Sequence, residues 1–267
     1  MFKTDDKVIQ ICLFLSGLIF MLYAGMMTFN TGYFLDRYPS FDNDATNTYF
    51  IVWFGLNNIM FLTGIYYIGY KGLEHGFFIF LIPATVLNIV WIIMSHMATG
   101  GENYTGLFLV SLNLAFILIA RVRAGYSMAW TKADTSWGTS DGPARMALYG
   151  MLLLQIVILI TYFVQPNGLM ENNPNLEVTP AGSHFALGLF FLNIAVVIAL
   201  IYQMRVGYSG VLITMGMVWN TIFFSLVIMN VSNAQGDMSQ GDSFLAAAIT
   251  IGFILNSIAF FRLQKSF

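Results

Sequence analysis

Charge is scarce in this sequence: 9% of its 267 residues are Asp, Glu, Lys or Arg, against about a quarter in soluble domains. None of these residues falls within the eight long apolar stretches delimited below. Their absence there excludes an intramembrane proton relay, a midplane carboxylate for sodium and a retinal Schiff-base lysine. The single cysteine, Cys12, can form no internal disulfide and reads as a small buried hydrophobe. No H-E-x-x-H, Gly-rich phosphate loop or Ser, His and acid combination occurs, so common hydrolytic, nucleotide-driven and metalloprotease chemistry has no visible apparatus. A net charge of −2, with no basic stripe, argues against nucleic acid as a partner.

What remains is apolar: 58% of residues are hydrophobic and the mean hydropathy is +0.73. Crossing a ~30 Å hydrocarbon core at 1.5 Å per residue takes about 20 residues of helix. Eight segments meet or approach that length: Val8 to Met27, Phe50 to Tyr67, Phe77 to Met97, Tyr104 to Ala120, Met146 to Val164, His184 to Ile201, Gly210 to Met229 and Phe244 to Phe261. Unpaired backbone amides are too costly in lipid for anything but helices or closed barrels, and the lack of period-2 alternation excludes the barrel. The expected class is therefore an all-α integral membrane protein with eight transmembrane helices. The first stretch is too long for a signal-peptide core and lacks a small-residue cleavage site, so it is read as a retained span.

With eight spans both termini share a side, and the connectors alternate between compartments. Lys3, Lys7, Lys71, Arg121, Arg123, Lys132, Arg145, Arg205, Arg262 and Lys265 sort to one side and only Arg37 to the other. The positive-inside rule makes the first side cytoplasmic. The expected location is an inner or plasma membrane, multi-pass, with both termini in the cytoplasm. Tyr66, Tyr67, Tyr70, Tyr126, Tyr149, Tyr202 and Tyr208 on that side, and Tyr49, Trp53 and Tyr162 on the other, read as interfacial aromatic belts. His75, beside Glu74 in a tight turn, reads as solvated.

The chain also divides into two halves with one plan: residues 1–125 and 146–267 as four-helix units, joined by a cytoplasmic linker, 126–145. In each half a long outward loop follows the first helix, a tight cytoplasmic turn joins the second and third, and the fourth ends on Arg, at Arg121 and Arg262. Asn58, Asn88 and Asn113 in the first half match Asn193, Asn220 and Asn256 in the second. Four being even, the two units run parallel, with any pseudo-two-fold axis along the membrane normal.

Those six asparagines lie near mid-depth, where amide donors and acceptors must find partners. Two readings stand: interhelical glue, or the lining of a site between the halves for a neutral, hydrogen-bonding ligand. Trp91 and Trp219 lie beside Asn88 and Asn220 at mid-depth instead of at the interface, and an Asn carbonyl one turn away is an available acceptor for each indole N–H. Asn57 and Asn58 are consecutive, so their side chains diverge by about 100°. Pro83 removes a backbone donor and predicts a kink in the third helix. His96 and His184 sit at the outer ends of their spans. Two imidazoles are able to share a metal or hydrogen-bond a quinone carbonyl, but no carboxylate or thiol at metal-site spacing accompanies them.

The stretch Thr179-Pro180-Ala181-Gly182-Ser183-His184-Phe185-Ala186-Leu187-Gly188-Leu189, and more loosely Phe54-Gly55-Leu56-Asn57-Asn58, follow a first helix and a long outward loop. In that arrangement the chain resembles the DoxX-like group of small four-helix membrane proteins, here as a tandem. The family usually carries a charged residue, often Arg, near the head of the second helix, where this chain has His184. The resemblance implies a four-helix fold for each half and quinone-linked redox work. The reading is a non-catalytic accessory or scaffold subunit, or a binder of a lipid- or quinone-like ligand held by Asn58, Asn88, Asn113, Asn193, Asn220, Asn256, Trp91 and Trp219. A facilitative carrier or channel for a small neutral solute and a quinone-coupled oxidoreductase subunit are the alternatives. Membrane lipids, and a protein partner or second copy, are the expected partners. No catalytic residue, metal or obligate cofactor is assigned.

Overall fold

The computed structural model of the chain describes residues 4–36, 44–99, 104–126, 141–172, 176–233 and 240–264. Lys3, Arg37, Asp42, Glu102, Trp130, Lys132, Trp137, Asp237 and Lys265 lie outside the described residues, as does most of the expected linker. The chain runs α1 (Lys7–Phe29), α2 (Thr31–Asp36), α3 (Ala45–Lys71), α4 (His75–Thr99), α5 (Tyr104–Arg123), α6 (Gly142–Val164), α7 (Gly168–Glu171), α8 (Pro180–Val206), α9 (Gly210–Asn233) and α10 (Gln240–Leu263). Eight of these helices are long and apolar enough to cross a membrane, and they cover the eight expected stretches. Each is apolar around its whole circumference, as a helix buried in protein and lipid should be. The short α2 and α7 fall inside what reads from sequence as loops.

Polar residues set the ends of the helices. Asp6 caps α1, its carboxylate accepting from the amides of Val8 and Ile9, and also accepts from Arg123 at the end of α5, 2.8 Å away. Asp141 caps α6 through the amide of Ala144 and meets Arg262 at the end of α10, again at 2.8 Å. Each pair ties the first helix of a half to the fourth. Asp44 caps α3 and Thr179 caps α8. Gly72 and Gly207 end those two helices at φ of +122° and +131°, backbone that disfavours any side chain, and each makes possible a turn of three residues into the next helix. α4 continues through Pro83 as one helix.

These cap positions recur at a single offset. Asp141, Thr179 and Gly207 each lie 135 positions after Asp6, Asp44 and Gly72, an interval shared by Glu74 and Ser209, which hydrogen-bond each other. Packing between the halves is reciprocal: α4 lies against α8, and α3 against α9. Within the halves α1 packs on α3 and α5, and α6 on α8 and α10. We call the end where α1 starts and α10 finishes the terminal end, and the opposite one the loop end. The terminal half of the first unit is solidly filled, with Phe77, Leu81, Ile117 and Ala120 wholly buried in one cluster.

Candidate functional site

Two cavities among the described residues lie toward the loop end. The larger cavity, about 390 Å³, is bounded by α3, α6, α8, α9 and α10 and roofed by α7. The smaller, about 90 Å³, lies among α1, α3, α4, α5 and α8. Asn57 and Leu192, themselves 135 positions apart, line both, so the two spaces abut across one wall. A volume of 390 Å³ falls in the range of small-molecule sites, ~300–1,000 Å³, whereas 90 Å³ accommodates about three waters.

Five of the six asparagines divide between these spaces. Asn58, Asn88 and Asn113 line the smaller cavity, and Asn193 and Asn220 the larger. Asn256 lines neither. It is 1% exposed, and the helix facing it carries Gly216, where any Cβ would stand 2.6 Å from the Asn256 amide nitrogen. The reverse holds one turn along: Asn220 fits against Gly252, where a Cβ would stand 2.7 Å from Asn220 Oδ1. Gly216-Met217-Val218-Trp219-Asn220 and Gly252-Phe253-Ile254-Leu255-Asn256 thus carry a shared Gly-x-x-x-Asn spacing that seats α9 and α10 on each other. That spacing is the sequence signal for the pairing.

Three of these amides spend a donor nearby. Asn58, Asn193 and Asn220 donate to the carbonyls one turn back, of Phe54, Leu189 and Gly216. Asn113 accepts from the hydroxyl of Ser16 at 2.5 Å, joining α5 to α1. The indoles reach across the seam between the halves instead of along their own helices: Trp219 Nε1 donates to Asn57 Oδ1 at 2.6 Å, and Trp91 Nε1 to the carbonyl of His184. Neither uses the neighbouring asparagine expected from sequence, because each Trp side chain is directed at the facing helix. Trp91 fits there because residue 188 is glycine; a Cβ at that position would stand 2.6 Å from Phe54 and 3.0 Å from the Trp91 ring.

Two further amides complete the larger cavity. Asn57 is 2% exposed; its Oδ1 holds Trp219, while its Nδ2 is buried without a hydrogen-bond partner. Gln155 on α6 presents a buried Oε1 that likewise has none. Trp53 and Tyr162, expected in the outer aromatic belt, line the cavity as well. Trp53 packs on Phe223 with centroids 4.4 Å apart, and Phe223 packs on Trp219. Among the described residues, no Asp, Glu, Lys, Arg or His lines the space. The α7 roof is pinned by Ser183, whose hydroxyl donates to Asn167, and by the buried side chain of Met170. On the α6 side Gln155 and Ile158 face the cavity, while Leu153, Ile156, Val157 and Ile160 are exposed on the other face. A single helix is all that separates the cavity from the surroundings there.

At the terminal end the seam holds a buried polar cluster that sequence reasoning missed. Arg121, 4% exposed, places Nη2 3.1 Å from His75 Nε2. His75 stacks on Tyr126, with centroids 4.9 Å apart and an 8° interplanar angle, and meets Tyr202 edge-on. Glu74 accepts from the hydroxyl of Ser209 and the amide of Val211, so a carboxylate of the first half caps α9 of the second. Tyr67 also hydrogen-bonds Glu74, and burial together with the Glu74 charge pushes the Tyr126 hydroxyl up from its ordinary range. The structure therefore corrects two expectations: His75 is half-buried instead of solvated, and Tyr67, Tyr126 and Tyr202 turn inward from the belt that Tyr66 and Tyr70 do occupy.

His96 and His184 belong to α4 and α8, which pack together; His96 stacks on Tyr104. Among the described residues no three or more His, Cys, Asp or Glu side chains gather as a metal would need. Compared with protein-family models, curated proteins and solved structures, the chain matches none of them.

Proposed function

We propose that this multi-pass membrane protein binds one membrane-dissolved, lipid- or quinone-like molecule in the cavity bounded by α3, α6, α8, α9 and α10, as a non-catalytic accessory or carrier of that ligand. One observation carries the reading: a space of about 390 Å³ that the described residues line with indoles, aliphatic side chains and carboxamides and with no charged side chain. Few convergent polar groups in an apolar pocket are the hallmark of a small-molecule site. The filled terminal half of the first unit favours holding over conduction, since a conduit would need space at both ends. Two fused DoxX-like four-helix units, 1–125 and 146–267, are the architecture we infer, supported by the recurrent 135-residue interval and the reciprocal packing.

Native mass spectrometry from mild detergent tests the proposal. Wild-type protein should retain a lipid- or quinone-sized mass, and Ala248→Phe, which fills the cavity, should not. A protein that is empty in mild detergent and co-purifies stoichiometrically with a partner would instead make it a scaffold. A bound chromophore lost in His96→Ala and His184→Ala would favour an oxidoreductase subunit. The abutting cavities favour one other reading, a facilitative path for a neutral solute, which predicts liposome flux abolished by Asn88→Leu and Asn220→Leu. We place both termini in the cytoplasm of an inner or plasma membrane, on the ten-to-one sorting of basic residues. Cysteine at Glu171 should then react with impermeant thiol reagents from outside, and cysteine at Lys71 should not.

A further inference from the structure

Among the described residues that line the larger cavity, two side-chain amides each bury an atom with no hydrogen-bond partner. Asn57 Nδ2 and Gln155 Oε1 are both buried, both without a hydrogen-bond partner, and carried into the same space by different helices, α3 and α6. Unmade hydrogen bonds at buried amides are costly, and more so where hydrocarbon surrounds the protein. Asn57 is fixed in place, because its other amide atom already holds the Trp219 indole. Its Nδ2 is therefore a preset donor in the cavity wall, and Gln155 on α6 supplies an acceptor to the same space.

We infer that the ligand's polar end is a neutral hydroxyl, which accepts from Asn57 Nδ2 while donating to Gln155 Oε1; the inference rests on the ligand-binding reading above. A hydroxyl is the smallest group that does both, since its oxygen accepts and its hydrogen donates. A ketone, quinone carbonyl or ether accepts only, and would leave Gln155 Oε1 unmatched. A carboxylate or ammonium finds no counter-charge among the described residues that line the space. The apolar remainder of the molecule lies against Leu154, Ile158 and Ile249, and the indoles of Trp53 and Trp219 flank it. The site thus distinguishes an alcohol, phenol or reduced quinol from the corresponding carbonyl or ether.

The full-length protein in detergent, freed of retained ligand, is titrated with dodecanol, methyl dodecyl ether and dodecane, and occupancy is read by native mass spectrometry. The alcohol is expected to bind about tenfold more tightly than the ether, the equivalent of one buried hydrogen bond. Gln155→Met, which keeps the side chain's length on the cavity-facing side of α6, should bring alcohol and ether to equal affinity. Asn57→Leu should weaken both, because both accept from Nδ2. Equal binding of alcohol and ether to the wild type overturns the hydroxyl assignment and leaves the cavity as an amphiphile site. Binding by none of the three, together with an empty protein as isolated, overturns the ligand-binding reading itself. Because the alcohol and ether are compared on unaltered protein, the outcome does not hang on any variant folding.

Discussion

Phe50 on α3 and Phe185 on α8 stack across the seam between the halves, ring centroids 6.0 Å apart and planes inclined by 17°, and both are essentially inaccessible. They occupy corresponding places near the starts of their helices, and Glu74 and Ser209 do the same near the terminal end. Phe50→Ala should cost about 3 kcal/mol, since the space it leaves is walled by packed helices that relax only in part. The same loss is expected for Phe185→Ala, and the double variant should cost less than the two added together, because each removes the other's partner. Unfolding titrations in mixed micelles measure this; strict additivity would mean the two rings do not depend on each other.

Asn220 and Asn256 should separate in their effects. Asn256→Leu must fit a branched side chain against Gly216, so it should lower stability by about 1–3 kcal/mol and leave ligand occupancy unaltered. Asn220→Leu reaches both Gly252 and the larger cavity, and should change stability and occupancy together. Occupancy lost in Asn256→Leu while the fold survives would show that the cavity depends on more than its lining.

The helix-end ion pairs give a pH dependence of definite sign. The hydrogen bonds from Arg262 and the Ala144 amide hold the Asp141 carboxyl below the ordinary carboxylate range. Asp6 is likewise lowered: desolvation opposes the shift, but bonds from Ile9, Arg123 and Val8 outweigh it. A carboxyl depressed in the folded state contributes stability above its unfolded pKa, about 3.9, and loses it as the pH falls through the folded value. Asp141→Asn retains a good cap but not the ion pair. It should therefore be less stable than wild type at neutral pH, and the two melting curves should converge in acid below about pH 4. A gap that persists unchanged at low pH would show that the charge contributes nothing.

His75 and Arg121 should behave as a pair. Removing the imidazole alone, as His75→Ala, withdraws one partner from a buried guanidinium and should cost about 2–3 kcal/mol. Adding Arg121→Met removes the charge that needed the partner, so the double variant should recover part of that loss. Thermal melts of the four proteins in the cycle decide it; a double variant worse than the sum of the two singles would refute the pairing.

Eight spans were legible because lipid admits so few backbone solutions that composition alone reveals them. The tight turns at Gly72 and Gly207 were legible as well; the Asp141 cap was not, since apolar character begins only at Met146 while α6 begins at Gly142. The partners of the buried amides were not legible. Trp219 stands beside Asn220 in sequence yet bonds Asn57, 162 positions away, because a uniformly apolar helix shows no face that says where it points. Gln155 was visible only as a polar residue in a span, and its unpaired acceptor exists only once α6 is set beside α8 and α10. Arg121 read as a connector charge, since the sequence does not reveal that Tyr126 and Tyr202 close over the turn beneath it.

The spans differ in how much of themselves they bury, and α6 is the extreme: 17% of its apolar window lies inside the protein, against 50% for α3. A guest need not arrive from water when so thin a partition faces acyl chains. For the guest proposed above, α6 is the thinnest barrier to entry from the bilayer, and the quantity expected to govern filling is then the guest's mole fraction in the leaflet. Thicker or stiffer bilayers, by bracing that one helix, should slow exchange and leave affinity nearly untouched.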